Sequence, residues 1–104
     1  MRKWPPLPKV VKGAVSDYAV TEGTQDSTNA GEKVITENNA ELRITTAIPI
    51  EMRWQTFFHE LIHKWEEEGE FKLKDTPGNS DVNRLATAMF ADYKRNDWKL
   101  PGEK

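Results

Sequence analysis

The sequence predicts a single α+β domain in which a small, mostly antiparallel sheet packs against two helices. Short β-branched runs gather in the first half of the chain, two stretches with apolar residues at three- and four-residue steps occupy the second half, and 104 residues leave room for one core. A domain of this size buries only about 60–65% of the surface its unfolded chain exposes, so its stability is marginal unless something such as a metal pins it.

Residues 1–8, MRKWPPLP, predict an extended arm, because each proline fixes its own φ and restricts the residue before it. KVVKGAV and DYAVT read as one or two strands interrupted near Gly13 and Ser16. Residues 22–31, EGTQDSTNAG, hold almost nothing to bury and predict an exposed loop. EKVITE and ELRITTA flank NNA, where Asn38 and Asn39 suit a positive-φ turn, so a β-hairpin follows. Pro49 fits a first helical turn. Ile50, Trp54, Phe57, Phe58, Leu61, Ile62 and Trp65 then share one face, which predicts a helix over 49–68 ended by Gly69. EFKLKDTPGN predicts a connector. Ser80 suits the N-cap of a second helix, with Val82, Leu85, Ala86, Met89, Phe90 and Tyr93 as its apolar stripe. Residues 97–104 form a polar tail.

Fifteen basic and seventeen acidic residues give a net charge of −2 with both signs scattered, which gives nucleic-acid binding no support. No apolar run approaches a membrane span, and prolines interrupt the segment where a secretion signal needs continuity. A cytoplasmic monomer with no membrane or nucleic-acid partner is the expectation. Cysteine is absent, so disulfides and thiolate zinc sites are excluded and a metal must sit on nitrogen and oxygen.

FFHELIHKW, residues 57–65, holds both histidines of the chain. Residues four apart on a helix rise by about 6 Å and lie about 40° apart around the axis, so His59 and His63 can aim their imidazoles at one point. On the same projection His59, Glu60 and His63 fall outside the apolar stripe. The residue types suit zinc: two imidazoles bind it, an open position holds water, and Glu60 reaches that water without coordinating and serves as general base. A third ligand must be acidic, since no histidine follows His63. Asp81, at the border of the second helix's stripe, is the leading candidate. Glu66 would require the metal to span about 10 Å of one helix and reads chiefly as part of a solvated helix end, and Asp92 lies about 16 Å further along the second helix than Asp81.

Taken together, ELRITTA, IPIEMRWQTFFHELIHKWEEE and DVNRLATAMFADYKRN resemble the minimal gluzincin-type zinc metallopeptidases of phages and prophages, similar to ImmA/IrrE-like peptidases, over about residues 40–96. The resemblance implies a zincin-like fold, zinc on His59 and His63, Glu60 as catalytic base, and a third ligand at Asp81, which precedes Val82 and Asn83 and stands where glutamate is usual. It also implies a protein substrate, with a repressor as the analogous target. ELRITTA is a candidate edge strand for an extended peptide. Tyr18, Tyr93 and Arg84 are the candidate oxyanion-stabilising groups. The rival reading is a non-catalytic, zinc-stabilised module that binds a protein partner through exposed Trp4 and Trp98.

Overall fold

The computed structural model describes residues 3–13, 17–23, 31–35 (backbone only) and 40–103. Its elements run β1 (Val10–Val11), β2 (Tyr18–Gly23), β3 (Gly31–Ile35), β4 (Ala40–Thr45), α1 (Ile50–Gly69), β5 (Asp75–Thr76), β6 (Asn79–Ser80) and α2 (Asp81–Asn96). The fold is α+β. Four strands form one sheet in the order β1-β2-β4-β3, and β5 and β6 form a separate two-stranded hairpin.

The expected hairpin is present: β3 and β4 pair antiparallel, with Ile35 opposite Ala40, while the turn that joins them lies outside the described residues. The expected exposed loop is shorter than its sequence range, because Glu22 and Gly23 end β2 and Gly31 begins β3; residues 24–30 lie outside the described residues. Among the described strands one pairing is parallel, that of β2 with β4, Ala19 to Glu41 through Gly23 to Thr45. It makes β4 a central strand and leaves β3 at the edge, against the expectation that ELRITTA forms an edge.

Alternation along β4 turns Leu42 and Ile44 into the core, both fully buried, and leaves Arg43 on the outer face. There Arg43 Nε donates to Glu41 Oε1 at 2.8 Å, and Thr21 donates to Glu41 Oε2 at 3.2 Å. Arg53 holds the turn into α1, donating to Ile48 O at 2.9 Å and Thr46 O at 3.2 Å.

The two helices are antiparallel neighbours: Glu51 meets Lys94, Gln55 meets Thr87 and His59 meets Asn83, positions rising on α1 as they fall on α2. Trp54, Phe57, Phe58, Leu61 and Ile62 of α1 pack with Val82 and Ala86 of α2 and with Leu42 and Ile44 of the sheet. Trp65, expected in this stripe, is 42% exposed. The helix pairing explains it, since α2 begins opposite about Leu61 and the last turns of α1 run past its end. Leu85 is likewise exposed, at 45%, so the buried stripe of α2 centres on Val82, Ala86, Met89, Phe90 and Tyr93.

Both terminal segments belong to the core. Leu7 and Leu100 are buried, Trp54 Nε1 donates to Pro5 O at 2.7 Å, and Trp4 stacks on Phe90 with ring centroids 5.1 Å apart. The expected arm and tail thus cover the helices, and Trp4 is occupied within the chain. Trp98 is exposed, its ring edge-on to Tyr93 at 5.5 Å.

Glu70, not Gly69, takes the left-handed position that ends α1, with φ 55°. Gly69 answers a different demand: a Cβ there would meet the Phe71 ring at 2.8 Å. No helix among the described residues is long and apolar enough to cross a membrane.

Candidate metal centre

Middle turns of α1 carry His59, Glu60 and His63, and the segment that follows the helix brings an acid back to them. The agent is the β5–β6 hairpin, whose tight turn is Pro77–Gly78, with Gly78 at φ 79°, the Pro-Gly order and positive φ that a type II turn requires. Its register sets Asp75 opposite Ser80. Ser80 then does two things at once: its hydroxyl donates to Asp75 Oδ1 at 2.6 Å and accepts from Asn83 N at 3.0 Å, capping α2 as expected. The other oxygen, Asp75 Oδ2, faces the histidines.

Three donor atoms converge as a result. His63 Nε2 lies 3.1 Å from His59 Nε2 and 3.0 Å from Asp75 Oδ2, and His59 Nε2 lies 3.6 Å from Asp75 Oδ2. Tetrahedral zinc with bonds of about 2.0–2.1 Å sets its ligand atoms about 3.3–3.4 Å apart, so the triangle has the right size for that ion.

Protonation agrees. Nδ1 of His63 faces Glu66 Oε1 at 2.6 Å, and an ionised carboxylate only accepts, so that nitrogen carries the proton. Nδ1 of His59 likewise donates to Asn83 Oδ1 at 2.6 Å. In the neutral ring this tautomer leaves the lone pair on Nε2, on the side of the triangle. Burial pushes the Asp75 carboxyl up, but the hydrogen bond from Ser80 and the positive charge that His59 and His63 carry when protonated together outweigh it and hold Asp75 below its ordinary value. Donor atoms this close repel unless a proton or a metal ion lies among them.

Glu60 is 4% exposed, and its Oε2 lies 4.0 Å from His59 Nε2, beside the triangle and not part of it. No family model, curated protein or solved structure matches the chain. Among the described residues, His59, His63 and Asp75 are the group whose ligand atoms lie within 4.8 Å of one another. Their side chains are 20%, 24% and 32% exposed, so the group is only partly enclosed.

Asp81, the acid expected here, is not brought to the histidines. Its carboxylate pairs with Arg84 at 2.7 Å. The expectation counted Leu85 as core; with the stripe centred instead near Ala86, Asn83 lies about 75° from its centre and Asp81 about 125° at 100° per residue, so Asn83 faces α1. Asp92 pairs with Arg95 at 3.3 Å. Glu66, read as solvated, is instead held between His63 and the Leu73 amide, which donates to its Oε2 at 2.6 Å. Of the candidate oxyanion groups, Arg84 forks between Asp81 and Asn79, Tyr93 packs on Phe58 and Trp98, and Tyr18 is buried beneath the Lys64 ammonium, 5.5 Å above its ring.

Proposed function

We propose that the chain is a zincin-like zinc metallopeptidase that hydrolyses a peptide bond in a protein substrate, with His59, His63 and Asp75 as ligands and Glu60 as general base and acid. The observation that carries the reading is a triangle of two imidazole nitrogens and one carboxylate oxygen, sized for tetrahedral zinc, beside a buried carboxylate that is not one of its corners. Zinc bound there supplies Lewis acidity, lowering the pKa of water and polarising a carbonyl.

Glu60 handles the proton. It takes one from the attacking water as the oxygen bonds to the carbonyl carbon, and returns it to the amine nitrogen as the C–N bond breaks. The Nδ1 contacts of His59 and His63 keep both rings in the tautomer that binds metal. An extended substrate pairs with the edge of β3, which has no further strand beside it among the described residues, and the resemblance to ImmA/IrrE-like peptidases points to a repressor as the substrate protein. A group of three ligands among the described residues, only partly enclosed, speaks against the rival reading, a closed structural zinc site in a binding module, because such a site takes four protein ligands.

The test uses zinc-loaded protein and Glu60→Gln on a fluorogenic peptide library and on candidate repressors. Zinc content stays at about one per chain in both, while cleavage by the variant drops by about 10²–10⁴-fold. Equal cleavage by the two, or none by the zinc-loaded wild type, overturns the reading.

A further inference from the structure

We infer that Glu66 is a positioning residue that fixes the distance between the second and third metal ligands. The inference rests on the zinc reading of the site. Its two oxygens are divided: Oε1 accepts from His63 Nδ1 at 2.6 Å, and Oε2 accepts from the Leu73 backbone N–H at 2.6 Å. Leu73 lies two residues before Asp75, so one carboxylate ties a ligand on α1 to the segment that delivers the ligand on β5. Glu66 is well buried, with 10% of its side chain exposed.

The tie closes a circuit. From Asp75 the path runs through the Ser80 hydroxyl to the Asn83 amide, and from the Asn83 side chain to His59 Nδ1, returning to His63 across the 3.1 Å between the two Nε2 atoms. Lys74 O closes the hairpin onto α2 by accepting from Asp81 N at 2.9 Å. Each ligand is thus oriented from behind, and Glu66 is the member that joins His63 to the segment leading into Asp75. An amide in its place can accept with only one atom, so it serves His63 or Leu73 but not both.

Zinc affinity of wild type, Glu66→Gln and the distant control Asp92→Asn is measured by competition with a chromophoric chelator, and the cobalt-loaded proteins are compared by their visible absorption. Glu66→Gln binds zinc about 10–100-fold more weakly with an altered cobalt spectrum, and the control matches wild type. In an Asp75→Ala background the same substitution costs less by about threefold or more, since there is no third ligand left to place, a coupling that loss of general stability does not produce. Additive effects, or unchanged affinity in Glu66→Gln, overturn the inference while leaving the zinc reading intact; a wild type that binds no zinc overturns both. Should Glu66→Gln fail to fold, amide exchange in the wild type decides: zinc slows the Leu73 amide, and an unchanged rate refutes the tie.

Discussion

Replacing Asp75 with alanine separates the site as built from the one expected from sequence. The substitution removes one of three protein donors and leaves two imidazole nitrogens 3.1 Å apart. Structural zinc in small four-ligand domains is bound with about 10–16 kcal/mol, or roughly 3–4 kcal/mol per ligand, so losing Asp75 weakens zinc by about 10²–10³-fold. A second, smaller effect appears without metal. The buried Ser80 hydroxyl loses its acceptor, at a cost of about 1 kcal/mol, which lowers the melting temperature of the apoprotein by about 4–8 °C. Chelator competition measures the first quantity and thermal unfolding with and without zinc the second. Asp81→Ala is the comparator: it removes an exposed pair with Arg84, an interaction worth about 1 kcal/mol or less, and leaves zinc affinity unchanged. If Asp81→Ala loses the metal and Asp75→Ala keeps it, the hairpin is not what completes the site.

Two more outcomes follow from the packing. Leu7→Ala destabilises the protein by about 2–5 kcal/mol in denaturant unfolding, because Leu7 is a core residue; a change within about 0.5 kcal/mol would show the N-terminal segment to be a loose arm after all. Burial first, then the negative charges of Glu68 and Glu67, raise the Tyr18 hydroxyl above 10.0. A pKa raised by folding contributes stability that is complete below the unfolded value and disappears as pH rises through the folded one. Tyr93→Phe leaves Tyr18 as the chain's single tyrosine, and its absorbance titration has a midpoint above 10.0 that coincides with loss of structure. A midpoint at or below 10.0 contradicts the burial argument.

Much of this fold is readable from local pattern. The 3.6-residue period locates both helices to within a residue or two, Ser80 announces the start of α2, and β-branched runs on either side of Asn38 and Asn39 announce the β3–β4 hairpin. The parallel pairing of β2 with β4 is not local: it joins segments separated by a whole strand, and neither carries a mark of its partner. Leu7 and Trp4 sit among prolines, where spacing has no period to read; only tertiary packing makes Leu7 a core residue and stacks Trp4 on Phe90.

The site divides the same way. His59, Glu60 and His63 are legible because four-residue spacing on one helix fixes their geometry. Asp75 is not, because a hairpin of two-residue strands has too little length to alternate. The signal available was Pro77–Gly78, flanked symmetrically by Asp75-Thr76 and Asn79-Ser80. Glu66 could have been found from its i,i+3 relation to His63, which places the two side chains on one face.

The Pro77–Gly78 turn also sets a limit on chain length. Side chains in a strand alternate between faces, so one residue added or removed between Asp75 and Ser80 turns the Asp75 carboxylate away from the histidines and breaks its bond to the Ser80 hydroxyl together. The interval from His59 to Asn83 is therefore fixed in length. Its spacing can be written as a single pattern: HExxHxxE, eight residues, aspartate, four residues, serine, two residues, asparagine. A chain with a different sheet and different terminal segments can share this centre if it keeps those intervals, and one that resembles this protein everywhere else loses the centre by a single insertion in the turn.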